Sequence, residues 1–286
     1  MKEKRKSKRK IIKYIILILL IILIIWTIWA NKAVEVNTIT ISAKSLPESF
    51  DGYRIALVSD LHNAEFGNDN ERLITLLEQA DPDMIALTGD IIDSRSLDIE
   101  VALRFAEKAA QIAPCYFVSG NHEGRLDEAD REAFVSELEA RGVTILDDKE
   151  AIIERNGEKI SLIGLTDTRI NYNPVTAERL NALSSIDGYT ILLCHRPDFL
   201  DAFADAEIDL ALCGHVHGGQ FRLPFIGGLL DPDRTFLPEH DAGLYTQGNC
   251  NMVVSRGLGN SVIPLRFNNR PEIVLIELKS ERRLYD

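Results

Sequence analysis

The 286-residue chain is 45% hydrophobic and 27% charged, with four cysteines and a formal net charge of −12. That length suffices for one large domain or two small ones. The total charge hides an asymmetry: residues 1–13 carry eight basic side chains against the single acid Glu3, a net +7 that leaves −19 for the remainder. So acidic a body is a poor match for nucleic acid, whose binding depends on neutralising phosphates with Lys and Arg. It also disfavours unspecific docking on anionic lipid. None of Cys115, Cys194, Cys213 and Cys250 stands in Cys-x-x-Cys spacing, which argues against a zinc ribbon or a thioredoxin-type motif. Three of the four fall in apolar, strand-like runs, where cysteine acts as a small buried hydrophobe. A disulfide is permitted outside the cytoplasm, but no pairing follows from the sequence.

Residues 14–30 carry no charge and are almost entirely Ile, Leu and Trp. With Ile11 and Ile12 the run approaches the roughly 20 residues that span a bilayer. Lys13 at one edge can snorkel to the headgroups, and Trp26 and Trp29 sit at the other edge, where interfacial aromatics belong. No polar face is present, which disfavours a buried core helix. The run also exceeds the roughly 7–15 apolar residues of a cleavable signal peptide, although Ala30 and Ala33 are small enough for a cleavage site. The expected organisation is a basic cytoplasmic N-terminus over 1–13, a transmembrane signal anchor over 14–33, a linker with a first strand over 34–52, and one domain over 53–286. The basic flank should remain cytoplasmic, giving a single-pass cell-membrane protein with an extracytoplasmic domain.

In chain order, residues 34–41 alternate apolar and polar, as a first strand would, and residues 46–52 form a turn. Residues 54–59 are a short apolar run that delivers Asp60 and His62. Residues 70–80 have helical periodicity, with Leu73, Ile74, Leu76 and Leu77 on one face. Residues 84–88 form a second buried strand ending in Gly89 and Asp90, and a helix follows over 99–112. Residues 115–119 form a third strand, ending in Gly120, Asn121, His122 and Glu123. Residues 130–141 are helical, with Gly142 as the stop. The runs 151–154 and 159–165 flank Asn156-Gly157, a hairpin signal. Residues 167–174 read as a loop, and 176–183 as a short helix. Residues 190–194 form a strand delivering His195, followed by a short helix over 197–203. A strand at Leu210 leads into Gly214-His215-Val216-His217. Residues 218–243, rich in Gly and Pro, read as irregular. Residues 244–247, 252–255 and 272–278 close the fold as strands. Strands alternating with helices, each strand ending in polar residues, describe an α/β protein whose site lies at the strand carboxyl ends.

Five of the six histidines fall at these strand ends, and only His240 falls elsewhere. Scattered core or surface histidines would not cluster so. Asp60, His62, Asp90, Asn121, His122, His195, His215 and His217 supply carboxylates, imidazoles and one amide oxygen. That mixture suits Mn, Fe or Zn better than Ca or Mg, which prefer shells of oxygen alone. His215 and His217, two residues apart in a tight segment, can project to the same side and form a ligand pair. Asp90, between the ligand groups in chain order, can bridge two ions with its two oxygens. Two cations about 3.5–4 Å apart clamp an in-line displacement at phosphorus, lower the pKa of a shared water and neutralise the phosphoryl oxygens.

These motifs resemble the calcineurin-like metallophosphoesterase superfamily. The match runs from about residue 54 to 278 through Asp60-x-His62, Gly89-Asp90, Gly120-Asn121-His122-Glu123, His195 and Gly214-His215-x-His217. The resemblance implies a four-layer αββα sandwich of two mixed β-sheets after the N-terminal transmembrane helix. It also implies a phosphoester hydrolase acting through a metal-activated hydroxide with two divalent ions, Mn²⁺ foremost. Asp60, His62 and His217 would hold one ion, and Asn121, His195 and His215 the other, with Asp90 as bridge. His122 would stand near the leaving-group oxygen as general acid or transition-state donor.

Gly218-Gly219-Gln220, Ser255-Arg256-Gly257-Leu258-Gly259, Pro264-Leu265-Arg266 and Pro271-Glu272-Ile273 are similar to the bacterial membrane-associated phosphodiesterase branch, which includes UDP-2,3-diacylglucosamine pyrophosphatase-like members. Protein Ser/Thr phosphatases share Gly-Asn-His-Glu but carry Gly-Asp-x-Val-Asp-Arg-Gly. Here Gly89-Asp90-Ile91-Ile92-Asp93-Ser94-Arg95 departs from it. Arg256 and Arg266 are candidate phosphate contacts, with intramolecular salt bridges as the alternative. Glu123 is either an orienting residue or solvated. The glycines around His215 and His217 are expected to leave room for substrate phosphate. The expected partners are a phosphate ester, lipid- or envelope-linked, and the membrane through the helix. Nothing calls for nucleic acid or an obligate protein partner. A tethered, non-catalytic binding module is the rival, disfavoured because every motif position is filled.

Overall fold

A computed structural model describes residues 2–96, 98–167, 174–260 and 263–281, with the side chains of residues 2–8 outside that description. Helix α1 (Lys2–Ala30) takes in the basic segment as well as the apolar one. Its stretch Arg9–Ala30, with mean hydropathy 3.0 and exposed except near its C-terminal end, is long and apolar enough to cross a membrane. The chain continues through β1 (Glu35–Ala43), β2 (Arg54–Val58), α2 (Glu71–Ala80), β3 (Met84–Thr88), α3 (Glu100–Ile112), β4 (Cys115–Val118), the one-turn α4 (Asn121–Gly124) and α5 (Glu128–Ala140). The second half holds β5 (Val143–Ile145), β6 (Lys149–Arg155), β7 (Glu158–Leu165), α6 (Ala177–Asn181), β8 (Thr190–Cys194), α7 (Leu200–Asp205) and β9 (Leu210–Cys213). It closes with β10 (Arg222–Leu223), β11 (Gly227–Gly228), β12 (Gly243–Gln247), β13 (Cys250–Val254) and β14 (Glu272–Ser280).

One six-stranded sheet runs β1-β14-β2-β3-β4-β5, and the other runs β12-β13-β9-β8-β7-β6. Both are mixed. In the first, β14 is antiparallel to β2 while its other pairs are parallel. In the second, β12–β13 and β6–β7 are antiparallel and the centre is parallel. The period-2 alternation of strand side chains builds the layers. Ile55 and Leu57 of β2, with Ile191 and Leu193 of β8, pack in the core between the sheets. Ala56 and Val58 face α2, α3 and α5. Leu192 and Cys194 face α6 and α7. Strands buried on both faces read as continuous apolar runs, which is why the central ones were legible.

The αββα sandwich expected from sequence is therefore present. The Asn156-Gly157 turn joins β6 to β7 with φ of 52° and 85°, the left-handed pair that a two-residue hairpin requires. The elements α4, β5, β10 and β11 were not anticipated; at two to four residues each they are too short to show a period. The region 218–243 contains the small hairpin β10–β11. Most of the expected loop over 167–174 lies outside the described residues. All four cysteines are buried and free.

Topology also fixes where the apolar helix enters. Since β14 runs antiparallel to β2, its first residues lie beside the carboxyl end of β2, with Val274 paired to Leu57. Strand β1 is parallel to β14, with Glu35 opposite Glu272. So β1 begins, and α1 ends, at the edge of the molecule where β2 releases Asp60 and His62. Contacts hold the helix there. Asn31 Oδ1 accepts from the Arg266 N–H at 2.7 Å, and Asn31 Nδ2 donates to the Arg266 carbonyl at 2.8 Å. The Trp26 ring meets Phe267 edge-on at 6.0 Å, and the Arg270 guanidinium lies 5.2 Å from the Trp29 ring centre.

Candidate metal centre

The ends of β2, β3, β4, β8 and β9 bring eight polar residues to one place. The chain turns sharply at the ends of β2, β3 and β9, and the backbone there carries the strain. Asp60, His62, Asp90, His215 and His217 all adopt positive φ, between 47° and 72°. Non-glycine residues rarely do so, and such outliers cluster at functional sites. Gly214 is required by close approach: a Cβ there would lie 1.8 Å from Ser59 Oγ and 2.6 Å from Asp60 Oδ2. This glycine makes room for the protein's own β2 end and not for a phosphate, which corrects the expectation from sequence.

Ligand atoms of Asp60, His62 and His217, and separately of Asp90, His195 and His215, lie within 4.8 Å of one another, as do those of His62, Asp90 and His122. In the first group the Nε2 atoms of His62 and His217 face each other at 3.1 Å, with Asp60 Oδ1 3.5 Å from the latter. In the second, His195 Nε2 lies 3.2 Å from His215 Nδ1 and 3.3 Å from Asp90 Oδ2. Asp90 Oδ2 also stands 3.7 Å from His62 Nε2. Thus Asp90 faces both groups through one oxygen. Its other oxygen, Oδ1, accepts the His122 N–H at 2.7 Å. That differs from the expected bridge by two oxygens: the α4 turn begins at Asn121 and consumes the second oxygen for its backbone.

Several features fit a cation in each group. His195 Nδ1 lies 2.7 Å from the Thr88 carbonyl, which accepts its proton and leaves the Nε2 lone pair for the site. His215 Nε2 lies between Asp233 Oδ2 at 3.1 Å and Arg196 Nη1 at 3.0 Å; donation to Asp233 leaves the Nδ1 lone pair facing inward. Arg196 braces this arrangement, with Nη1 2.7 Å from Asp233 and Nε 3.0 Å from both oxygens of Asp167. Asn121 Oδ1 meets His195 Nε2 at 3.2 Å, acceptor against acceptor. Turning the amide over would place its NH₂ 2.9 Å from His215 Nδ1 and its oxygen 3.0 Å from Arg125, so oxygen inward is the orientation that a bound cation would require. The first group is less prepared. His62 Nδ1 is buried without a hydrogen-bond partner. His217 Nδ1 faces Arg266 Nη2 at 3.2 Å. A guanidinium only donates, so this contact must open when Nε2 gives its lone pair to a cation and Nδ1 keeps the proton.

Electrostatics follow burial and neighbours. Burial pushes the His62 pKa down to about 3, with Asp90 opposing, and burial likewise holds His217 well below the ordinary value. Both stay neutral, as ligation needs. Burial opposes charge on His195 too, but the Asp90 and Asp60 carboxylates outweigh it and raise its pKa. Burial works against ionised Asp90, and the His195, His62 and His122 rings reverse that and lower its pKa. Asp60 is raised by burial. The carboxylates of Asp60 and Asp90 and the rings of His62, His195 and His217 are therefore set by one another as well as by burial.

His122 is arranged differently. Its Nδ1 accepts the Ser94 N–H at 3.0 Å, so the neutral ring carries its proton on Nε2, 4.0 Å from Asp90 Oδ2. A ring with N–H inward is a proton donor, not a ligand. Glu123 is fully buried, and its carboxylate accepts from the backbone of Asp90, Gly120 and Ile92 at 2.8, 2.8 and 3.3 Å. It ties the end of β3 to the end of β4, so it is an orienting residue and not a solvated one. Burial and Asp90 together push its pKa up to about 8.

The two arginines are placed otherwise than phosphate contact requires. Arg256 pairs with Glu35 and, at 2.5 Å, with Glu272. Arg266 is 1% exposed and donates to the carbonyls of Arg256 and Gly259, at 2.6 and 2.5 Å. Both are tied up in joining β1, β14 and the 256–266 segment. Arg196, Asp167 and Asp233 went unnoticed in the sequence. Arg196 follows a candidate ligand directly, and that adjacency was the available signal.

The sequence matches the calcineurin-like phosphoesterase family over residues 53–219. The chain belongs to that family. As a calcineurin-like phosphoesterase it is a metal-dependent phosphoesterase, and its clustered donors are where divalent ions would bind. It is 32% identical over 253 residues, 86% of either chain, to an uncharacterized metallophosphoesterase, YkuE, of Bacillus subtilis. It is 29% identical to the phosphodiesterase YaeI of Escherichia coli, covering 79% of this chain and 82% of that one. A transmembrane protein with metallophosphoesterase domain from Danio rerio is 30% identical, covering 86% of this phosphoesterase and 57% of the relative. Among solved structures, the sulfate thiohydrolase SoxB of Thermus thermophilus shares the fold at 14% identity, with a TM-score of 0.50, over 82% of this chain and 57% of that one.

Proposed function

We propose that this phosphoesterase hydrolyses phosphodiesters at a membrane surface, tethered by α1, with its domain outside the cytoplasm. The observation that carries the chemistry is the pair of three-residue donor groups joined by Asp90 Oδ2. We assign Asp60, His62 and His217 to one cation, and His195, His215 and Asn121 to the other, with Asp90 shared. Mn²⁺ is the ion we expect from the mixed nitrogen and oxygen donors. Two such cations, when bound, polarise the phosphoryl oxygens and acidify water. The residues of the chain do the rest. Asp60 and Asp90 supply the negative charge that holding two cations at this point requires. Thr88 and Asp233 hold two imidazoles in the right tautomer. His122 presents Nε2–H, fixed by Ser94, to the leaving oxygen as proton donor.

Diester preference is supported by the name of the Escherichia coli relative, and tethering by the apolar helix and the transmembrane relative. The narrower reading, cleavage of a UDP-diacylglucosamine-type lipid, needs a cytosolic domain, against the basic N-terminal flank. The test is hydrolysis of an aryl phosphodiester by the full chain with Mn²⁺. Wild type should turn over, while Asp90→Asn and His122→Ala should not match it. Unchanged turnover in either variant would remove the assignment. Protease access to the domain in intact cells tests its side, and a protected domain would revive the UDP-lipid reading.

A further inference from the structure

Beyond the metal centre, the most conspicuous unexplained feature is an apolar point at its lip. Residues 223–230 are uncharged, in a body that is otherwise strongly acidic. They form the tip and return of the β10–β11 hairpin, which leaves the protein two residues after Gln220. The tip side chains have no cover: Phe225 is fully exposed and Ile226 is 59% exposed, with Leu223 beside them. The base, in contrast, is held firmly. Gly219 packs so closely on Gly228 that a Cβ would lie 2.4 Å from its Cα. Asp241 accepts from the Gly228 N–H and pairs with Arg222 at 3.0 Å. A rigid base with bare aromatic and aliphatic side chains at its tip is a surface built to bury them elsewhere.

The position of the hairpin says in what. Phe221, at its root, pairs with Phe267, and the Arg222 N–H donates to the Phe267 carbonyl at 2.9 Å. Phe267 is the residue that Trp26 of α1 packs against, and Arg266 is the residue that Asn31 grips. Leu265, in the same segment, is also exposed. The apolar span, the segment 265–267 and the hairpin are therefore one continuous structure, at the end of the sheets where the metal donors lie. We propose that the Leu223–Ile226 tip inserts into the lipid surface beside α1 and holds the mouth of the metal site against the bilayer. The substrate would then be a phosphodiester carried by a lipid or a lipid-linked chain. This rests on the reading of α1 as a membrane span and of the site as a phosphoesterase. Insertion would be apolar in origin, since the tip offers no charge to anionic headgroups, so it should persist on zwitterionic lipid and in high salt.

The test uses the full Mn²⁺-loaded chain in phosphatidylcholine vesicles. A polarity-sensitive fluorophore is placed at Phe225→Cys or, as control, at Asn249→Cys. The native cysteines are all buried, so labelling is confined to the new thiol. Asn249 precedes β13, whose parallel pairing with β9 puts it at the opposite end of the sheet from the metal site. Phospholipid with a nitroxide in its acyl chain should quench the Phe225→Cys label severalfold more than the control, at low and high salt alike. Equal quenching of the two sites overturns the proposal. So does quenching that instead follows label-to-label proximity at high protein density, which would mean that a second copy covers the tip. In a second arm, Phe225→Glu combined with Ile226→Glu should keep the rate on a soluble aryl phosphodiester while losing severalfold on a lipid-borne one. Equal rates on both substrates overturn the substrate claim. A wild-type chain that hydrolyses neither would refute the proposed function, and the quenching result would still decide the hairpin.

Discussion

The two donor groups of the centre contain the same kinds of side chain but are not equally prepared. In the group of His195 and His215, each outward nitrogen has an acceptor within reach, Thr88 O at 2.7 Å and Asp233 Oδ2 at 3.1 Å, although His215 Nε2 also stands 3.0 Å from Arg196 Nη1. In the group of His62 and His217, one outward nitrogen has no hydrogen-bond partner and the other faces a donor, Arg266. Matched outward partners fix the tautomer and raise ligand basicity. The difference teaches that ligand identity alone does not set affinity. The first cation to bind should take the His195–His215 group, and the second should bind more weakly.

Changes to the two groups can break or sharpen this contrast. The largest effect is expected from Asp90→Asn, because Asp90 Oδ2 serves both groups. Metal analysis should find fewer ions per chain, and phosphodiester turnover should vanish. His122→Ala should lower kcat by about 10²–10⁴-fold, the usual worth of a positioned proton donor. Because His122 belongs to the proton chemistry, metal content should not change; a loss of metal would make it a ligand after all. Asp233→Ala should weaken the tighter ion by about 10–100-fold, in the range of lost outer partners. The two groups would then look alike in a titration. The smallest effect is Glu123→Gln, which sets an amide NH₂ against backbone N–H groups now accepted by carboxylate. Leaving buried donors unmatched costs about 1–3 kcal/mol, readable as a lowered melting midpoint of the metal-free chain.

The sequence exposed the strand-end donors because they follow apolar runs of four or five residues, directly as at His195 or after a short link such as Gly89, Gly120 or Gly214. Five of six histidines at such points left little room for a scattered origin. The sheets were legible for the same reason: strands such as Leu210–Cys213, buried on both faces, are apolar throughout. What escaped is what depends on contacts distant in sequence. Arg256 looks like a phosphate binder until Glu35, 221 residues away, is seen to hold it. Asp233 lies in a stretch without periodicity, and nothing local ties it to His215. The glycines around His215 and His217 suggest space for substrate, whereas the neighbour that fills the space at Gly214 is the end of β2. The positive φ of Asp60, Asp90, His62, His215 and His217 also left no trace in residue type.

The most direct measurement is calorimetric titration of Mn²⁺ into the metal-free full chain. The account predicts two binding events per chain of unequal affinity, with the weaker one lost in His62→Ala and both impaired in Asp90→Asn. A single event in the wild type, or two events that Asp90→Asn leaves untouched, would contradict a shared two-ion centre.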